Sequence, residues 1–234
     1  MESNNIIDAI IERIIKASEI SLSDYKKGTI RGEEDFSSQL IANIKNNINH
    51  ISLNEKAGWE NTILNARILE KHKEEKPIGA DILMIFNIDM PGKKIEKGLL
   101  IQAKRFDQLN KTTKNEDLAG QCERMLQASS SSFVFIYTTD RIDVHSAQSA
   151  FASEATLKMM QTRTFKSFLN DFLHCWIGDI RLNEKAYVSK NLASILFPNN
   201  ILFTRDASFG FIRTDDAVFT NSKNSVVIEV KKGS

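Results

Sequence analysis

The sequence predicts an α/β fold in which helices flank a mixed central sheet, followed by a C-terminal α+β extension. Three observations carry this expectation. Residues 82–88 form a nearly continuous apolar run of strand length, and residues 99–103 form a second one after the turn signal Pro91-Gly92-Lys93-Lys94. Residues 133–137, Phe-Val-Phe-Ile-Tyr, are aromatic and β-branched, the composition of a buried strand. Helical spacing surrounds these runs, so the order reads helix, strand, strand, strand, helix, strand, which suits a mixed sheet covered by helices.

Each element has its own signal. Ile7, Ile10, Ile11, Ile14 and Ile15 place one apolar stripe on a helix over residues 4–18. A polar connection over 21–32 leads to a second helix over 33–48, with Phe36, Leu40, Ile44 and Ile48 as its core face. Glu33, Glu34 and Asp35 fill its first turn, where the helix dipole favours carboxylates. Residues 51–75 fit helix and strand templates equally well, and a strand is expected inside them. The charge run 71–76 before Pro77 reads as a solvated loop. Leu118, Cys122, Met125 and Leu126 share a face of a helix over 118–128, which the serines at 129–132 end. Residues 146–177 read as mostly helical, with an interruption near 162–164, up to Gly178-Asp179, and strand-like runs follow at 194–197, 201–203, 209–212 and 226–230. The expected organisation is a helix and connection over 1–30, a core over 31–140 and an extension over 141–234.

Composition bounds the function loosely. With 234 residues and 41% hydrophobic content, the chain can bury a substantial core. A net charge of +1 supplies no bulk attraction to nucleic acid, so any contact with a polyanion must come from a local patch. Cys122 and Cys175 are far apart and lack the spacing of a zinc site; they read as thiols in a reducing cytoplasm. No apolar run approaches the ~20 residues of a membrane span. The N-terminus has neither the basic region nor the unbroken apolar core of a signal peptide, so the expected location is cytoplasmic.

The residues that carry chemistry are Asp81, Gln102 and Lys104. Gln102 and Lys104 are two apart on one strand and therefore share a face, and Asp81 sits after Gly79-Ala80 at the mouth of the neighbouring strand. Paired as a hairpin, the strands bring the three together at one sheet end. A hard divalent cation takes oxygen ligands of this kind and keeps several waters, one of which can attack a phosphodiester beside a lysine. The plainer reading makes Lys104 a strand-end lysine reaching water and Asp81 a turn cap. Against it stands Gln102, a polar amide inside an apolar strand that costs ~1–3 kcal/mol without partners. The acid-rich helix start upstream and Gln121 on the helix downstream add to the case. A second pattern, Asp215 or Asp216 with Glu229 and Lys231, is set aside because no helix or strand follows to complete a core.

Over about residues 32–137 the chain resembles the PD-(D/E)xK nuclease superfamily, in the variant where glutamine replaces the central acid, as in Mrr-like restriction endonucleases. The resemblance implies a restriction endonuclease-like αβββαβ core. It implies a metal-dependent nuclease that hydrolyses phosphodiester bonds, with DNA ahead of RNA and a role in prokaryotic defence against foreign or phage DNA. It makes Asp81 the principal metal ligand, Gln102 the second-acid position and Lys104 the catalytic lysine. Glu34 from the first core helix assists the metal, with Glu33 as its rival, and Gln121 stands beside the site. Glu34, Asp81 and Gln102 would then hold Mg²⁺ or Mn²⁺. A neutral amide binds Mg²⁺ more weakly than a carboxylate, which keeps an alternative in view: a catalytically weak or inactive nuclease-fold module that binds nucleic acid or a partner subunit. The expected partners are nucleic acid, first double-stranded DNA, and a second copy of the chain or a subunit of a defence complex; no membrane is expected. Lys71, Lys73, Lys76, Lys93, Lys94, Lys97, Arg105, Lys111 and Lys114 cluster in sequence around the motif loops and are candidates for phosphate contacts.

Overall fold

The computed structural model describes residues 2–49, 63–90, 93–109, 112–189, 191–197, 217–222 and 225–230. The chain divides into two compact units, Met1–Pro198 and Asn199–Ser234. The expected boundaries at 30 and 140 both fall inside the first unit. In the second unit, β-strands Ala217–Ser222 and Ser225–Val230 pair antiparallel. The runs 201–203 and 209–212, together with Asp215, Asp216 and Lys231, lie outside the described residues.

The first unit is built on a mixed six-stranded sheet flanked by helices. In chain order its principal elements are α1 (Glu2–Lys26), α2 (Glu33–Asn49), β1 (Ile63–Ile68), β2 (Ile82–Met90), β3 (Lys93–Arg105), α3 (Thr112–Ala128), β4 (Ser132–Tyr137), β5 (Ile142–Ser146), α4 (Ala147–Ala152), β6 (Arg163–Thr164), α5 (Phe165–Leu173), α6 (Glu184–Val188) and α7 (Leu192–Leu196). Strand order follows chain order. Only β3 and β4 are parallel, and α3 makes the crossover between them that parallel pairing requires.

Strand periodicity sorts the side chains into two layers. Ile82, Met84 and Phe86 of β2, Leu99, Ile101 and Ala103 of β3, and Phe133, Phe135 and Tyr137 of β4 join α1, α2 and α5 in one core. The alternate residues face the other way: Leu83, Ile85 and Leu100 pack with Met125, Leu182 and α7, and Val134 and Ile136 with Leu118 and Cys122. Gln102 and Lys104 share parity with Leu100, so their side chains leave the sheet on the α3 side.

Two segments differ from the sequence expectations. The charge run 71–76 is no open loop: Lys71–Glu75 form a π-helical turn that continues into a short helical turn, Lys76–Ile78. Residues 194–197, expected as a strand, belong mostly to α7; Asn191 Oδ1 accepts the Ser194 N–H at its start, and Leu192 and Leu196, four apart, are both buried. The interruption expected near 162–164 within the helical stretch 146–177 is β6, after which Thr164 caps α5 by accepting the Ser167 N–H. Among the described residues no helix is long and apolar enough to cross a membrane.

Candidate active site at the end of β2 and β3

The backbone first sets where Asp81 stands. Ile82 pairs with Ile101, and the Asp81 N–H donates to the Ile101 carbonyl at 2.9 Å, which extends the ladder so that Asp81 lies opposite Gln102. Gly79 makes this entry possible. Its φ is 83°, and a Cβ there would lie 2.3 Å from the Gln121 carbonyl oxygen, so only glycine lets α3 pack this closely. Gln121 thus reaches the neighbourhood through its backbone, while its side-chain Oε1 is buried without a hydrogen-bond partner.

Asp81 Oδ2 accepts two hydrogen bonds, one from Gln102 Nε2 and one from the Ala103 N–H at 2.9 Å. Gln102 Nε2 also donates to the Ala103 carbonyl at 3.1 Å. With two acceptors facing it, the amide must present its nitrogen to Asp81. Its Oε1 is left buried without a partner, on a residue with no exposed surface. An orphaned acceptor of this kind costs ~1–3 kcal/mol. Burial raises the Asp81 pKa to about 7; Glu33 and Glu75 also push it up, against Lys104 and the Ala103 N–H.

Lys104 lies 3.4 Å from Glu33 Oε1, and the Arg105 N–H donates to Glu33 Oε2 at 3.2 Å. Glu34 instead pairs with Lys71 at 2.7 Å, with both side chains largely exposed. Helix geometry separates the two acids. Glu33 continues the buried stripe of Phe36, Leu40 and Ile44 toward the sheet end, and Glu34 is turned ~100° from it. That stripe is the signal in the sequence that singles out Glu33.

A cleft of about 240 Å³ opens here, lined by Glu33, Glu34, Ser37, Lys71, Glu75 and Asp81 among others. Ser37 hydrogen bonds the buried Tyr137 hydroxyl at 2.9 Å. Glu75 is half-buried on the π-helical turn. Burial raises its pKa, and Glu34 and Glu33 add to the rise against Lys71 and Lys104. The sequence reading left Glu75 inside a solvated charge run, and no periodic signal marks it there. On the α3 side Cys122 is buried, and its thiol is pushed up to about 12 by burial, with Lys104 opposing.

The expected basic cluster divides. Lys97 is buried, with its Nζ donating to the carbonyls of Phe172 and, at 2.6 Å, Ile177, and lying 4.6 Å from the Phe172 ring centre. Arg105 is committed to Asp107 and to the Arg31 carbonyl at 2.6 Å. Lys71 and Lys73 hold surface ion pairs with Glu34 and Glu70, and Lys76 and Lys94 are exposed. Lys111 and the side chains of Lys93 and Lys114 lie outside the described residues.

Among the described residues, no three His, Cys, Asp or Glu side chains are gathered closely enough to hold a metal ion. The acids that line the cleft, Asp81, Glu33, Glu34 and Glu75, are nevertheless oxygen donors. That chemistry fits a hard cation such as Mg²⁺ or Mn²⁺ and not zinc. No protein-family model matches the chain, and no curated protein matches it.

Proposed function

We propose that this protein is a metal-dependent nuclease with a restriction endonuclease-like core, acting on DNA ahead of RNA. One observation carries the reading. Asp81 and Gln102 meet at the end of two paired strands, and Lys104, two residues on, meets a carboxylate from α2. The order α2, β1, β2, β3, α3, β4 supports it, since it is the αβββαβ order that the sequence resemblance implies.

In this reading each side chain has a task. Gln102 and the Ala103 N–H fix one oxygen of Asp81, which leaves Oδ1 for a ligand. Glu33 holds Lys104 at the cleft, where its ammonium group can orient an attacking water and offset charge growing on the phosphate. A Mg²⁺ or Mn²⁺ ion bound here would polarise the phosphate and lower the pKa of a water at the site.

The second reading is a nuclease-fold module that binds nucleic acid or a partner without cutting. The observation that favours it is the amide of Gln102, which presents a donor to Asp81 and so already satisfies one carboxylate oxygen. Incubation with supercoiled plasmid and Mg²⁺ separates the two. The nuclease reading expects nicked or linear product from the wild type and a loss of at least about a hundredfold in Asp81→Ala and Lys104→Ala. Equal behaviour of all three proteins, with DNA still bound, establishes the binding module.

A further inference from the structure

We infer that Lys71 is a substrate-binding residue: Glu34 holds its ammonium group at the cleft and yields it to a backbone phosphate when nucleic acid docks. The inference rests on nucleic acid entering this cleft, as proposed above, and adds a residue and an exchange step that the motif leaves out.

The backbone that carries Lys71 is fixed on both sides of it. Lys71 opens the π-helical turn, in which the N–H groups of Glu74 and Glu75 donate to the Glu70 carbonyl at 2.8 and 3.1 Å. Glu74 Oε2 accepts the Glu70 N–H at 3.1 Å, which closes the turn around Lys71. Glu74 is itself buried, with 2% of its surface exposed, and Arg67 holds it in a bidentate pair at 2.7 and 2.8 Å. Arg67 Nη2 donates onward to the Ser189 carbonyl at 3.2 Å, just past α6. An exchange of partners at Lys71 therefore needs only its side chain to move.

Two observations single out Lys71. Among the described residues it is the one basic side chain that lines the cleft, where the other charged residues are the acids Glu33, Glu34, Glu75 and Asp81. Glu34 foremost, then Glu75 and Asp81, raise its pKa against burial, so its charge stands among all three. A polyanion at this rim is repelled by the acids and can be held by Lys71. The second observation is the contrast between the two ion pairs here. Lys104 and Glu33 are 15% and 20% exposed, and Glu33 also accepts the Arg105 N–H, so that pair is enclosed. Lys71 and Glu34 meet at 2.7 Å while 63% and 73% exposed. Water and salt screen such a pair, and a phosphate replaces the carboxylate at little cost. Lys73, on the same turn, pairs locally with Glu70 and does not line the cleft.

The test is fluorescence anisotropy of the full chain with a short labelled DNA duplex over a NaCl series, in EDTA and again with Ca²⁺, with circular dichroism and the melting point as folding controls. The expected result is weaker binding at low salt in Lys71→Gln and a slope of log affinity against log salt that is shallower by about one. Lys73→Gln makes the same charge change on the same turn and should keep the wild-type slope. Glu34→Gln removes the competitor and should tighten binding by about two- to fivefold, a gain that disappears once Lys71 is also Gln. A folded Lys71→Gln with the wild-type slope overturns the inference, and plasmid cleavage that fails in Asp81→Ala then leaves the nuclease reading standing. Equal tightening by Glu34→Gln with and without Lys71 is charge repulsion alone and overturns the exchange. A wild type that binds no duplex at any salt in either buffer overturns the inference and the choice of DNA as partner together.

Discussion

Glu74, buried, and Asp81, half-buried, are acids a few residues apart, and their surroundings treat them in opposite ways. Burial alone would raise Glu74, but the Arg67 hydrogen bonds, the N–H groups of Glu70 and Leu192 and the Arg67 charge outweigh it, and its pKa is lowered. Burial wins at Asp81, whose pKa stands at about 7 because Lys104 is shared with Glu33 and other acids crowd the cleft. In the first region the charge is matched within the chain, although Arg67 Nε is buried without a hydrogen-bond partner. In the second, the Asp81 carboxylate accepts hydrogen bonds from Gln102 and the Ala103 N–H but has no ion pair to match its charge among the described residues.

The largest expected effect breaks the charge-matched region. Arg67→Met strands Glu74 as an uncompensated buried charge and should cost about 3–5 kcal/mol of stability, measured by urea unfolding at neutral pH. The opposite sign is expected at the cleft. Asp81→Asn should raise stability by on the order of 2–4 kcal/mol at about pH 8, and the gain should vanish near pH 4, while cleavage is lost. Asp81 ordinarily titrates at 3.8; between there and about 7 the folded protein keeps a proton that the unfolded chain releases, so stability falls as pH rises through this window. Glu74 works the other way. Its contribution is present above the ordinary value of 4.5 and is lost as pH falls through its lower folded pKa. Wild-type stability should therefore peak on the acid side, and Asp81→Asn should flatten the descent toward neutral pH.

Smaller effects sharpen the contrast within the cleft. Glu33→Gln frees Lys104 and should lower the cleavage rate by about 10–100-fold, measured under saturating Mg²⁺. Glu34→Gln breaks only an exposed pair with Lys71 and should leave the urea midpoint unchanged. A larger rate loss from Glu34→Gln than from Glu33→Gln would reverse the order that the geometry sets.

Much of the framework was readable in advance because it depends on local pattern. The two-residue period of β2 and β3 and the spacing of Asp81, Gln102 and Lys104 fix which side chains meet at the sheet end. What escaped was decided by distant contacts. Glu33 and Glu34 share the first turn, and the Phe36 and Leu40 stripe that Glu33 continues sets its direction only once that stripe packs against the sheet and meets Lys104. The run 71–76 looks solvated because the partner that buries Glu74 is Arg67, on the preceding strand, reinforced by carbonyls more than a hundred residues away. Lys97 looks like a phosphate contact until Phe172 and Ile177 bring their carbonyls to it. Residues 194–197 look strand-like as a short apolar run, and the capping Asn191 with the buried Leu192 and Leu196 pair makes 194–196 helical.

The proposed nuclease requires a divalent cation at Asp81, which anomalous diffraction from crystals soaked in Mn²⁺ would reveal. A peak is expected at about 2.0–2.3 Å from Asp81 Oδ1, with Glu33 or Glu75 among its neighbours, and no such peak in Asp81→Asn crystals. A saturated crystal of the wild type with no anomalous density at this cleft contradicts it.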